Sequence, residues 1–385
     1  MANDAVAGNA PRVAPVRPVD ADDPVREVLA AFTRDLVRAV DETLGDFLTT
    51  EVASLAEVDP ALHDFARTAH DCVLAGGKRL RPTFAYWGWR GVVGGEVPLP
   101  PVLPALAALE LLHAFALVHD DVLDASATRR GRPTVHRSMA AAHLTARWAG
   151  DPDRFGEAAA ILVGDLCLVW ADRLLGQTAV PPATLLDARR CYDQMRIEAI
   201  AGEYLDVLGE HDAGNWSVDR ALRVARYKTA SYTVQRPLLF GSALAGATAP
   251  DAPLVAAYTR YGLAVGEAFQ LCDDLLGVYG DPATTGKPAG DDLRTGKPTA
   301  LLMLARQLAT PAQATELRRL DGGVPVDEVD RYAELVAATG AVDRVEKMIS
   351  DRVAEAVAAL DAASMDETAR SALTGLAVAA THRRS

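Results

Sequence analysis

The chain has 385 residues, half of them hydrophobic, which is enough to bury a large core. Its formal net charge of −13 argues against a non-specific nucleic-acid binder, because such proteins are basic, and any anionic ligand would need a local concentration of cations. Four cysteines, Cys72, Cys167, Cys191 and Cys272, form neither a C-x-x-C pair nor a zinc spacing, so buried reduced thiols and a cytoplasmic location are expected.

Residues 1–24 are rich in Ala, Pro and Val and lack the basic start and apolar centre of a signal peptide; they read as a flexible leader. No stretch reaches about eighteen uninterrupted apolar residues, so no membrane span is expected. From residue 25 to 385 the pattern is helical, as in Leu103, Leu106, Leu109, Leu112 and Ala116, and rich in Ala, Leu, Arg and Glu. Pro and Gly clusters near residues 91–104, 150–156, 181–182, 249–253 and 280–298 divide it into about a dozen helices. Helical patterning resumes on both sides of each cluster, which predicts one large all-α domain.

Along that domain the first chemical element is Gly76-Gly77-Lys78-Arg79-Leu80-Arg81-Pro82, three cations in four residues behind two glycines. Glycines let backbone N–H groups approach an anion, and the arginine fork suits phosphate oxygens. Next, an apolar helix ends in Asp120, Asp121 and Asp124. Clustered acids at a helix C-terminus repel one another and oppose the macrodipole, a cost that a hard divalent cation offsets. The basic turn Arg129-Arg130-Gly131-Arg132-Pro133 follows at once, so a metal and a phosphate would share one ligand. Tyr227-Lys228-Thr229 carries little weight alone. A second acidic end, Asp273 and Asp274 with Gln270 one turn earlier, echoes the first: Cys-Asp-Asp-Leu-Leu-Gly beside His-Asp-Asp-Val-Leu-Asp. The loop Thr285–Thr299, with Lys287 and Lys297, comes after it.

Two other site types are excluded. A nucleotide-binding P-loop needs Gly five positions before the second Gly and Ser or Thr after Lys; positions 281 and 291 are Asp, and Pro follows both lysines. A di-iron bundle needs two Glu-x-x-His units, and only Glu110–His113 is present.

In this order, GGKRLRP, HDDVLD with RRGRPTVH, YKT, FQLCDD and GKPAGDDLRTGKPT resemble the trans-isoprenyl diphosphate synthase (polyprenyl synthetase) family over roughly residues 30–380. The resemblance implies an isoprenoid synthase fold, a helical bundle around a central cavity, usually homodimeric. It implies Mg²⁺-dependent condensation of isopentenyl diphosphate with an allylic diphosphate, with about three Mg²⁺ ions per active site. Asp120, Asp121, Asp124 and Asp273 would hold the metal, supported by Asp274. Lys78, Arg79, His113 and Arg130 would take isopentenyl diphosphate. Arg129, Lys228, Gln270, Lys287 and Lys297 would take the allylic diphosphate, with Thr229 beside the reacting carbon. The second motif departs from the family's DDxxD, because Gly277 holds its fifth position and Asp281 is out of helical register. Phe115 and Ala116, five and four residues before Asp120, would floor the product pocket and imply the C20 geranylgeranyl diphosphate, with the C15 farnesyl product as the near rival. A class I terpene cyclase and a non-catalytic synthase subunit are the competing readings; GGKRLRP and RRGRP speak against the first and the retained aspartates against the second.

Overall fold

The structure is a computed structural model that describes residues 24–381 except 96–97, 213–215, 281–289 and 320–322. Residues 1–23 of the expected leader, and Asp281 and Lys287, lie outside the described residues. The expectation of an all-α chain holds: among the described residues the only extended pairing is a two-residue hairpin, Thr128–Arg129 against Arg132–Pro133.

The N-terminal helices are α1 (Pro24–Val58), α2 (Leu62–Leu74), α3 (Leu80–Val93) and α4 (Leu103–Leu123). After the hairpin come α5 (Val135–Ala146), α6 (Pro152–Leu175), α7 (Pro182–His211) and α8 (Val218–Val224). Several begin with proline in the first turn, where the missing N–H costs no hydrogen bond. Asp151 caps α6 by accepting from the N–H groups of Asp153 and Arg154.

Helix α4 is the axis of the bundle. Ala105 to Leu112 are buried without a break, including Glu110, and α4 packs against α6, α3 and α1. With its preceding turn it is long and apolar enough to cross a membrane by length and composition, at a mean hydropathy of 1.8, yet 61% of that apolar window is buried inside the protein. A core helix surrounded by other helices is apolar on every side for the same reason.

A π-helix, Ala225–Gln235, continues α8 and leads into α9 (Arg236–Leu244) and α10 (Pro253–Tyr279). Such widened turns are rare and are found at functional sites. Here the π-helix presses its backbone into α7 and α10. A Cβ at Gly202 of α7 would lie 2.7 Å from the Tyr227 carbonyl carbon, so only glycine admits this approach. Helix α10 joins the two hydrophobic cores: Tyr258, Tyr261 and Val265 belong to the main bundle. Leu271 and Val278 belong to a second core built with the C-terminal helices around Leu301, Tyr332 and Val336.

Candidate active site

Helix α4 ends with Leu123, and Asp124 is its C-cap, so the first acidic device occupies the last turn as expected. Asp120 accepts from Arg129 at 2.8 Å and from Lys228 at 3.1 Å. Asp121 is buried and accepts from Arg129 Nε at 2.7 Å, whereas Asp124 is exposed. Burial would raise the Asp120 carboxyl, but Lys228 and Arg129 outweigh it and hold it below the ordinary carboxylate value. Burial raises Asp121 despite Arg129, and burial together with the Asp120 charge raises Asp124.

Lys228 reaches the site because the π-helix turns it toward α4 and α7. Its ammonium also donates to Glu203 at 2.9 Å and to Asp206 at 2.7 Å. Asp206 accepts from Lys297 as well, at 2.8 Å. Burial opposes both ammonium charges, and the surrounding carboxylates more than compensate, raising both lysines. One residue on, Thr229 donates to Gln270 at 2.6 Å, and Gln270 donates to Asp274 at 3.0 Å. The two acidic helix ends are thereby linked through the π-helix, although they come from helices far apart in sequence. Asp206, Lys228, Thr229, Gln270, Asp274 and Lys297 bound one cavity between them.

The other cations gather around His113, about two turns before Asp120 on α4. Gly76 and Gly77 have φ of 86° and 154°, and Arg79 opens α3 in the left-handed region at φ 47°. Left-handed backbone costs a side-chain-bearing residue about 1–2 kcal/mol. Arg130 is left-handed too, at φ 53°, and its guanidinium donates to the Gly76 carbonyl, which brings the two basic motifs together. Behind them, Arg81 donates to Thr233 at 3.0 Å and stacks on the Tyr232 ring at 4.2 Å. Arg81 Nε, His113 Nδ1 and the Tyr232 hydroxyl are buried without a protein hydrogen-bond partner. Each such atom costs about 1–3 kcal/mol, and a ligand rich in acceptors would relieve it. Burial, then the charges of Arg81, Arg130, Arg129 and Arg79, lower the His113 pKa, so its imidazole is neutral.

Residues 63–338 match the polyprenyl synthetase family. This chain belongs to that family. Among solved structures it is similar to the geranylgeranyl pyrophosphate synthase of Corynebacterium glutamicum complexed with isoprenyl diphosphate and magnesium, at 41% identity and a TM-score of 0.85, covering 91% of this chain and 99% of that one. It is also 35% identical to the geranylgeranyl diphosphate synthase of Mycobacterium tuberculosis (strain ATCC 25618 / H37Rv), over 74% of this chain and 75% of the relative. A third relative, the octaprenyl diphosphate synthase of Escherichia coli (strain K12), is 31% identical over 89% of this chain and 97% of its own length. The architecture is the all-α isoprenoid synthase fold, and the chain is a prenyltransferase.

Of the residues expected at the site, Asp120, Asp121, Arg129, Lys228, Thr229, Gln270, Asp274 and Lys297 lie in one linked set of side chains, and one other is bound up within the fold. Arg79 was expected at the isopentenyl diphosphate site. Its guanidinium is instead consumed within the fold, donating to Asp41 and Glu110, both at 2.8 Å, and to the Val73 carbonyl at 3.0 Å. Arg81, two residues later, is the arginine with unused donor capacity beside His113. The motif held this signal, because three cations in four residues cannot all point one way along a helix start. Glu203 and Asp206 were also missed; an acidic pair three residues apart on a polar helix face carries no distinctive mark. Phe115 and Ala116 are half-buried between buried Ala114 and Val118, and the Phe115 ring meets His119 edge-on at 4.8 Å. His119 in turn bonds the Ile161 carbonyl of α6 at 2.9 Å.

Proposed function

We propose that this polyprenyl synthetase condenses isopentenyl diphosphate head-to-tail with an allylic diphosphate in the presence of Mg²⁺, and that its main product is C20. The observation that carries the reading is Lys228, held among Asp120, Glu203 and Asp206 while its neighbour Thr229 contacts the second acidic helix. Carboxylates and cations from α7, the π-helix and α10 therefore line one cavity, and Lys228 joins it to Asp120 of α4, so that a diphosphate and a divalent cation have complementary partners.

The donor set suits a hard cation. Asp120 is kept ionised, Asp124 stands exposed one helical turn away, and all the donors are oxygens. Among the described residues no three metal-binding side chains already converge on a single point. Asp120 and Asp121 are engaged by Arg129 instead. Asp120, Asp124 and Asp273 would hold Mg²⁺, with Asp121 and Asp274 in support. Bound there, the cation would stabilise the negative charge that develops on a departing diphosphate. Arg129, Lys228 and Lys297 orient that diphosphate and share its charge. Next to them, around His113, Lys78, Arg81 and Arg130 hold isopentenyl diphosphate, and neutral His113 provides one further hydrogen bond. Ionisation of the allylic C–O bond then exposes a carbocation to the isopentenyl double bond, and loss of a proton completes the new chain.

Phe115, braced by His119 against α6, supports the C20 reading, since an aromatic floor stops elongation early. The geranylgeranyl synthases among the similar proteins support it as well. A homodimer is supported by the exposed apolar side chains of α6 and α7. Leu162, Val169, Ile197 and Tyr204 are 57%, 62%, 61% and 67% exposed. Free cysteines support a cytoplasmic location.

The deciding experiment incubates purified protein and Mg²⁺ with isopentenyl diphosphate plus dimethylallyl, geranyl or farnesyl diphosphate, followed by product chromatography. A C20 product is expected. Absence of any elongated product sinks the reading, and a hydrocarbon made from an allylic diphosphate alone would indicate a cyclase.

A further inference from the structure

The two acidic devices of this chain differ at one position. In the first, Asp120 and Asp124 stand four residues apart on one face of α4. In the second, Asp273 has Gly277 at that spacing on α10. The surface of Gly277 is covered. A Cβ placed there would lie 2.6 Å from Cγ of Asp292 and 3.2 Å from its Oδ1, with Oδ2 closer still. The Asp292 carboxylate therefore fills the space that a side chain at position 277 would enter.

Asp292 is held there by its backbone. It lies in the short helix Asp291–Thr295, and its carbonyl accepts from the Lys297 N–H at 3.0 Å. Lys297 in turn reaches Asp206, which fixes this turn against the cavity. The neighbouring acid is committed elsewhere. Asp274 is buried, with one oxygen accepting from Gln270 and the other from the Ala300 N–H at 3.0 Å. Asp273 consequently has no second acid four residues on along its own helix, and the carboxylate lying over that position is Asp292.

We propose that Asp292 supplies the carboxylate that Gly277 omits, so that the second metal-binding face is completed by Asp273 from α10 and Asp292 from the next turn. The two positions are alternatives, because an Asp side chain at 277 and the present Asp292 rotamer would occupy the same volume. This inference rests on the metal-dependent reading given above.

The test measures binding of Mn²⁺, in place of Mg²⁺, by electron paramagnetic resonance in the presence of inorganic diphosphate. Thermal melting of the same samples reports folding. Asp292→Ala and the near-isosteric Asp292→Asn should each weaken Mn²⁺ binding roughly tenfold or more without loss of the folded state. Adding Gly277→Asp to Asp292→Ala, which vacates the shared volume, should recover most of the lost affinity, because it returns a carboxylate to the same place. Normal Mn²⁺ affinity in Asp292→Asn overturns the proposal, as does a folded Gly277→Asp/Asp292→Ala protein that recovers nothing. Asp120→Ala serves as the parallel control. If it too binds Mn²⁺ normally, the metal reading of the whole site fails; if Asp120→Ala is impaired and Asp292→Asn is not, only the role of Asp292 is lost.

Discussion

Lys228 and Asp120, 108 residues apart in the chain, meet at 3.1 Å. This contact ties the π-helix to the acidic end of the central helix. The same ammonium is shared with Glu203 and Asp206, so one cation serves three carboxylates, with Arg129 and Lys297 pairing Asp120 and Asp206 as well. A diphosphate with its metal would redistribute these partners, and the carboxylates would exchange an ammonium for a divalent ion.

Asp120→Ala should lower turnover by roughly 10²- to 10³-fold, the usual effect of removing one electrostatic contributor to a charged transition state. The protein should stay folded with at most a modest fall in melting temperature, since Arg129 keeps Asp121 and Lys228 keeps Glu203 and Asp206 as partners. Steady-state rates under saturating substrates check this, and a near-normal rate would remove Asp120 from the mechanism.

Arg79 and Arg81 should separate cleanly. Arg79→Gln leaves Glu110 buried without its cation, a change of about 3–5 kcal/mol, and should appear as a lowered melting temperature. Arg81→Gln should instead raise KM for isopentenyl diphosphate while KM for the allylic substrate stays near normal. Equal effects of Arg81→Gln on both KM values would place Arg81 outside the isopentenyl site.

Phe115→Ala should shift the product toward longer chains, because it removes the ring that rests on His119. The product distribution from a single primer, resolved by chain length, is the measurement. An unchanged distribution would locate the floor elsewhere.

Asp274 gives a pH dependence of stability. Burial pushes its carboxyl up to about 7 from 3.8, against the hydrogen bond from Gln270. An acid raised in the folded state contributes stability that is complete below its unfolded pKa and lost as pH rises through the folded one. Stability should therefore decline on its account from about pH 4 to above about pH 7. Asp274→Asn removes this decline, so its melting temperature relative to the parent should rise from about pH 5 to about pH 8. A difference that is flat with pH would show that Asp274 is ionised throughout.

The sequence by itself determined the helical architecture, the acidic ends of α4 and α10, and the family. These are local facts: apolar periodicity specifies a helix, and clustered Asp residues beside Arg-rich turns declare their chemistry within a few positions. Tertiary structure alone decided which of two arginines in one motif stays inside the fold, because Arg79 meets Asp41 and Glu110 from helices distant in sequence. It alone recruited Asp206 to Lys228 and Lys297, and placed Asp292 over Gly277. Electrostatic pairing acts over a few ångströms in space irrespective of sequence separation, so a charged residue's partner is fixed only once the helices have packed.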